Sequence, residues 1–437
     1  MSPGSAWRVS IENLWRREAF TLATLQTAGY VARDKNGDVT QGETAPSERW
    51  DEVKAAKGAP FSLTPDLNDH VVYMDEFVNL MAHQFGDAST PTGIKGYEID
   101  NEPSLWYSSH PYMHPSKPGA AEVVSKGIDL AKAVKKVDPS AQMFGPVSYG
   151  IDEMYDMHGA DDWISVKGSY SWYMDYYLDK FRIASLQEGR RLLDVLDIHW
   201  YPEVQAGGYR ITDRASYDNL EANKARMQAP RSLWDPSYTE NSWISQWRSS
   251  YLPLIPRLKQ SIDMYNPDTK IAITEYNYGG ENNVYGGIAE ADLLGIFGKY
   301  GVYETNFWKM VNGLTDAPYI NSAFNLYTNY DGNHSAFGDT KIKAETSDID
   351  NSSIYGSVFK DSNNDLHLIA LNKNNDFDMN AVFNIAGGTR YASARVWAFD
   401  GSSPTVTERA PVTGISGSTF AYTIPKLTAV HIVLKAQ

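Results

Sequence analysis

The chain has 437 residues, 42% hydrophobic and 21% charged, enough for one large or two ordinary folded domains. A formal net charge of −15, with no Lys/Arg-rich run, argues against nucleic acid or anionic membranes as partners; a neutral polymer meets such a surface without penalty. Cysteine is absent, which excludes disulfides, zinc–thiolate centres and cysteine nucleophiles, and no apolar run approaches the ~18–20 residues of a membrane span.

Residues 1–20 lack the apolar core of a signal peptide. In chain order, strand-like apolar runs at 21–27, 93–99, 141–147, 192–200, 270–276 and 303–310 alternate with helical stretches. Val71, Met74, Phe77, Met81 and Phe85 repeat at helical spacing, as do Val124, Ile128, Ala131 and Val134. Asp138-Pro139 and Asn266-Pro267-Asp268 end helices just ahead of the next strand. This rhythm predicts an α/β fold, a TIM-like (β/α)8-type barrel whose active site sits at the C-terminal strand ends. Six runs fall short of eight strands, and 7–11 offers a seventh, so the barrel is expected to lack or rearrange its first strands. Beyond residue 346 short strands follow one another at 354–360, 366–372, 381–385, 394–399, 420–424 and 429–435, with Asn- and Gly-rich turns and no helix between. The expected domains are a catalytic barrel over 1–346 and a C-terminal all-β sandwich over 347–437.

Two strand ends present a glutamate: Glu102 in GYEIDNEPSLW and Glu275 in KIAITEYNYGG. Two carboxyl groups on one barrel face are the minimal equipment for cleaving a glycosidic bond; a retaining enzyme holds them ~5–5.5 Å apart and an inverting one ~6.5–9.5 Å apart. Glu102 suits the acid/base, with Asn101 beside it to hydrogen-bond a sugar 2-hydroxyl and Pro103 shaping the turn. Glu275 suits the nucleophile, with Tyr276 adjacent to position it. His199, followed by Trp200 and Tyr201 at another strand end, either orders the carboxylates, contacts sugar or is a satisfied core residue. Asp100 and Asp197 each lie two residues before a named group and share its strand face; they either serve the site with it or, as the favoured reading, are structural hydrogen-bond partners inside the barrel.

The chain carries 28 Tyr and 12 Trp. Trp308 on the last barrel strand is placed either on a cleft floor or in the barrel core. Trp243 and Trp247 stand one helical turn apart in a polar insertion, as a substrate wall or as helix packing. Trp106 follows the acid directly and could line the same groove. The stretch DKNGDVTQGE has oxygen ligands at alternate positions, but Val39 stands where a calcium loop needs glycine, so a tight turn is the simpler reading. No phosphate-binding glycine loop is present.

At TAGYVARDKNG, FSLTPD, STPTGIKGYEIDNEPSLW, LLDVLDIHWYPE, KIAITEYNYGG and NLYTNYDG the chain resembles glycoside hydrolase family 44, from about Thr21 to the C-terminus. The resemblance implies a secreted, retaining endo-β-1,4-glucanase or xyloglucanase, with xylan as a side substrate, built as a TIM-like barrel followed by a β-sandwich. It implies acid/base Glu102, nucleophile Glu275 and sugar contacts from Trp243, Trp247 and Trp308. No cofactor is needed for the chemistry, and a structural calcium is an expectation of the resemblance. The partner is a β-linked polysaccharide acted on by a monomer, without nucleic acid or membrane. Residues 1–20 do not match the family's opening stretch, which leaves a non-catalytic or weakly active glycan-binding protein as the alternative.

Overall fold

A computed structural model describes residues 20–309, 317–360 and 364–437. The chain divides into two compact units. One comprises residues 1–200, 258–276 and 303–307, and the other residues 201–257, 277–302 and 308–437.

The first unit is built on a curled sheet of six parallel strands. Leu22–Leu25, Gly96–Ile99, Gln142–Ser148, Val195–Trp200, Lys270–Tyr276 and Glu304–Phe307 lie side by side in chain order. Neighbours in both sequence and sheet, all pointing the same way, require crossovers, and helices such as Ala120–Val137 and Tyr173–Glu188 supply them. Val195–Trp200 is buried along its whole length, as expected of a central parallel strand covered on both faces. All six expected strands of the barrel form within this TIM-like half-barrel; the run 7–11 lies outside the described residues. The helix over Met74–Phe85 starts later than the apolar repeat suggests. Val71 belongs to a short strand, Val71–Tyr73, paired in parallel with Trp50–Lys54. Trp50–Lys54, which pairs on its other side with Tyr30–Ala32, escapes sequence reading because WDEVK is mostly charged and carries little alternation.

The second unit holds a six-stranded antiparallel sheet in the order Thr340–Ile342, Ser352–Val358, Leu366–Asn372, Thr428–Ala436, Tyr391–Asp400, Ser403–Val412. A two-stranded ribbon of Met379–Asn384 and Thr419–Ile424 accompanies it. Leu366, Leu368, Ala370, Val396, Ile432 and Leu434 point into a core shared with Phe383, Phe420 and Ile424 from the ribbon. The strand Ser403–Val412 contains two prolines, and it lies at the sheet's edge, where a missing N–H is tolerated.

The opposite face of the large sheet is also covered. His431 Nδ1 hydrogen-bonds at 2.8 Å to the Leu326 carbonyl oxygen on the helix Pro318–Thr328, and His367 Nδ1 lies 3.0 Å from His431 Nε2. Tyr330 packs its ring 4.1 Å from that of His431. Burial holds both imidazoles neutral, pushing His367 down to about 4 and His431 down to about 3. Above the ordinary value of about 6.5 neither folded nor unfolded rings carry a proton, so the pair is neutral to stability there. Below it the unfolded rings bind protons that the folded ones refuse, and stability falls at up to about 1.4 kcal/mol per pH unit per ring. Denaturant unfolding at pH 7 and pH 5 is expected to show this loss, and a His367→Gln/His431→Gln double variant to flatten it. An unchanged pH slope in the double variant would remove the imidazole pair as the cause.

Candidate active site

The strand Gly96–Ile99 ends in a turn that only its long-range contacts can hold. Asp100 and Glu102 both have left-handed backbones, with φ of 64° and 44°. That region is costly for residues with a Cβ and persists where neighbours over-determine it. The neighbours here converge on the buried Asp100 carboxylate. It accepts from the Thr27 and Ala28 backbone N–H groups, the Thr27 hydroxyl, the Asn101 N–H at 2.8 Å and the Trp106 indole N–H at 3.2 Å. The Glu102 N–H in turn donates to the Val147 carbonyl oxygen of the next strand at 2.9 Å. The result is a rigid turn that aims the Glu102 side chain past the sheet's C-terminal edge.

Glu275 reaches the same edge from Lys270–Tyr276. Pairing with Val195–Trp200 slips between Ile273 and Glu275, so Glu275 sits opposite His199. Such an irregularity re-aims side chains at a strand end. His199 Nδ1 lies 2.8 Å from Glu102 Oε1 and 3.4 Å from Glu275 Oε2, and one ligand atom from each of the three residues falls within 4.8 Å of the other two. Both carboxyl groups are partly exposed, while His199 is 1% exposed beneath them. One imidazole nitrogen thus spans two carboxyl groups that strand topology alone would leave uncoupled. Two partly exposed carboxyl groups facing each other across a buried imidazole are placed to act on one bond of a bound substrate.

More acids line this sheet than the strand ends reveal. Glu98 accepts from the Thr24 hydroxyl, and burial, with a contribution from the charge of Glu275, pushes it up. Asp197 is fully buried, accepts from the Thr274 hydroxyl at 2.8 Å and is raised chiefly by burial. Burial pushes Glu304 up to about 7. Glu98 carried a visible signal, as the lone charge in the strand GYEI; the role of Asp197 as a buried partner was anticipated.

Several expected sugar contacts are placed otherwise. Trp106 is 1% exposed and spends its indole N–H on Asp100, with its ring 5.2 Å from that of His114, so it supports the turn and does not line a groove. Tyr276 is buried with its ring edge-on to Phe307 at 5.8 Å, and His199 is buried below the carboxyl groups, so neither offers a face to a sugar. Asn101 is exposed at the turn and Tyr201 is half-buried. Trp243 and Trp247 form the ends of a five-residue helix, Trp243–Trp247, begun by the Ser242 hydroxyl, which accepts from the Ser245 N–H. Trp247 is 73% exposed and Trp243 half-buried. Trp308 follows the last parallel strand, is 54% exposed, and accepts through its carbonyl oxygen from the Asn277 side-chain amide at 2.7 Å.

In the DKNGDVTQGE loop the acids have a cationic partner within the chain. Asp34 and Glu43 both pair with Arg49, at 3.0 and 3.1 Å, and Glu43 also accepts from the Thr40 N–H and hydroxyl. The guanidinium already supplies the positive charge that a metal would bring. Among the described residues, Glu102, His199 and Glu275 are the one group of three or more His, Asp or Glu side chains with ligand atoms within 4.8 Å of one another.

Residues 5–204 match the model of glycoside hydrolase family 44. An endoglucanase A from Paenibacillus lautus is 55% identical over 435 residues, all of this chain and 62% of that protein's length. The chain therefore spans less than two thirds of that relative. A Paenibacillus polymyxa xyloglucanase of the family, solved with xyloglucan, is 52% identical and superimposes with a TM-score of 0.96 over 100% of this chain and 84% of its own. A family 44 endoglucanase from Clostridium thermocellum is 53% identical, with a TM-score of 0.97 over 99% of this chain and 85% of its own. Family members of known structure share the whole fold and more than half their residues with this chain, which covers 84–85% of them, so it belongs to glycoside hydrolase family 44.

Proposed function

We propose that this protein is an endo-acting β-1,4-glucanase that cleaves internal bonds of β-glucans such as cellulose derivatives and xyloglucan, and xylan as a side activity, with retention of anomeric configuration. Glu275 attacks the anomeric carbon from below while Glu102 delivers its proton to the departing glycosidic oxygen, giving a glycosyl–enzyme ester. Glu102 then takes a proton from water, which displaces Glu275. His199, with its proton on Nδ1, donates to Glu102 Oε1 in both steps, which leaves Oε2 to carry the proton that moves.

The observation that carries this reading is the spacing of the two carboxyl groups around His199. One oxygen of each carboxyl group within 4.8 Å of the other favours the ~5–5.5 Å spacing of retaining enzymes over the ~6.5–9.5 Å of inverting ones. The exposed indoles of Trp247 and Trp308 are proposed to stack on glucosyl rings. A polymer too large to enter a cell calls for work outside it, and no helix among the described residues is long and apolar enough to cross a membrane. The protein is proposed to act as a monomer.

Proton NMR of a xyloglucan oligosaccharide digest, read before mutarotation, is expected to show the β-anomer first. The α-anomer appearing first would replace retention with inversion.

A further inference from the structure

Beneath the turn that carries Glu102 lies an acid that strand-end reasoning does not reach. Glu153, in the short helix Ile151–Asp156, is fully buried. Its Oε2 accepts from the Ser104 hydroxyl at 2.6 Å and from the Tyr149 N–H at 3.0 Å. Ser104, also fully buried, stands two residues after Glu102 in the 3-10 turn Pro103–Leu105, whose first hydrogen bond runs from the Leu105 N–H to the Glu102 carbonyl oxygen. The other carboxyl oxygen, Oε1, is buried without a hydrogen-bond partner among the described residues.

Among the described residues Glu153 forms no ion pair. The charged or titratable groups that act on it electrostatically, or on which it acts, are Glu102 from the turn and Tyr173 and Tyr177 from the helix Tyr173–Glu188. Burial pushes its carboxyl up to about 8, and the charge of Glu102 adds to the push. The group is therefore a neutral acid near pH 7, and its Oε2 accepts from both Ser104 and Tyr149. A neutral acceptor can hold Ser104 without setting a second negative charge under Glu102, which an ionised carboxylate at this position would do.

We propose that Glu153 is a positioning residue for Glu102, fixing through Ser104 the turn from which the acid/base reaches the glycosidic oxygen. This rests on the assignment of Glu102 as acid/base. The expected signature is a dependence on the leaving group. A glucan needs its departing oxygen protonated, whereas 2,4-dinitrophenyl β-cellobioside leaves as a stable phenolate without help.

In Glu153→Leu, kcat on xyloglucan is expected to fall about tenfold to a hundredfold, the cost of a misplaced catalytic group. The burst of dinitrophenolate that reports the first step should stay within about threefold of wild type, because attack by Glu275 is untouched. Glu153→Gln keeps a neutral acceptor of the same reach and is expected to restore xyloglucan hydrolysis to within about threefold. Ser104→Ala, which removes the linking hydroxyl, should repeat the leucine pattern and serves if the leucine variant does not fold. Equal losses on both substrates, or no loss on xyloglucan, would overturn the proposal. Glu102→Ala run in parallel separates the two readings. If it lacks the leaving-group dependence, the acid/base assignment falls; if it shows the dependence and the Glu153 and Ser104 variants do not, only the positioning role falls.

Discussion

Glu275→Ala is expected to lower release of reducing ends from xyloglucan by about 10⁴-fold or more, since the proposed attacking carboxylate is then missing. The loss should be chemical, because Glu275 is partly exposed and its removal empties no core volume; the melting temperature is expected to hold. Azide gives the assignment its direction. In Glu275→Ala the small anion fits where the carboxylate was and attacks the anomeric carbon once, giving the α-glycosyl azide. In Glu102→Ala the first step still passes through Glu275, azide replaces the water in the second, and the β-glycosyl azide results. If the two variants exchanged products, the roles of the two glutamates would have to be exchanged. If both variants kept full activity, the carboxyl pair would not be the catalytic machinery at all.

Lys373→Met is expected to destabilise the second unit by about 3–5 kcal/mol, the cost of stranding one partner of a buried ion pair. Lys373 Nζ lies 3.1 Å from Asp292 Oδ2 with both side chains almost wholly buried, and the Tyr355 hydroxyl donates to the other oxygen of Asp292 at 2.5 Å. Asp292 sits in the helix Val284–Tyr300, which packs so closely on the strand Ser352–Val358 that a Cβ on Gly295 would meet the Tyr355 ring at 2.2 Å. With so little slack, water cannot enter to solvate an orphaned carboxylate. Denaturant unfolding read at constant slope should report the loss. An additional Asp292→Asn replacement is expected to recover much of it, because the uncompensated charge is what costs most. A loss no larger in Lys373→Met than in the double variant would refute that account.

Sequence reading went furthest where chemistry follows from local pattern. The six parallel strands were visible as apolar runs between helix-stopping prolines, and the Asn-Glu-Pro and Ile-Thr-Glu-Tyr strings marked the strand ends that carry Glu102 and Glu275. Reading failed where a residue's environment depends on what packs over it. Trp106 and Tyr276 lie beside Glu102 and Glu275 in sequence, yet burial turns one toward Asp100 and the other toward Phe307. Glu153 sits in DEMYD, a string with no feature to mark a buried acid. The edge strand Ser403–Val412 was hidden by prolines that only an edge position accommodates.

The sequence by itself determined the α/β rhythm, the antiparallel strands that follow it, and the two acids presented at strand ends, because period and turn chemistry act over a few neighbouring residues. Only the tertiary structure decided that those acids meet across His199, that Asp100 anchors a left-handed turn, and that Glu153 lies buried beneath it. These are relations between strands and helices far apart in the chain, where packing decides both distance and exposure.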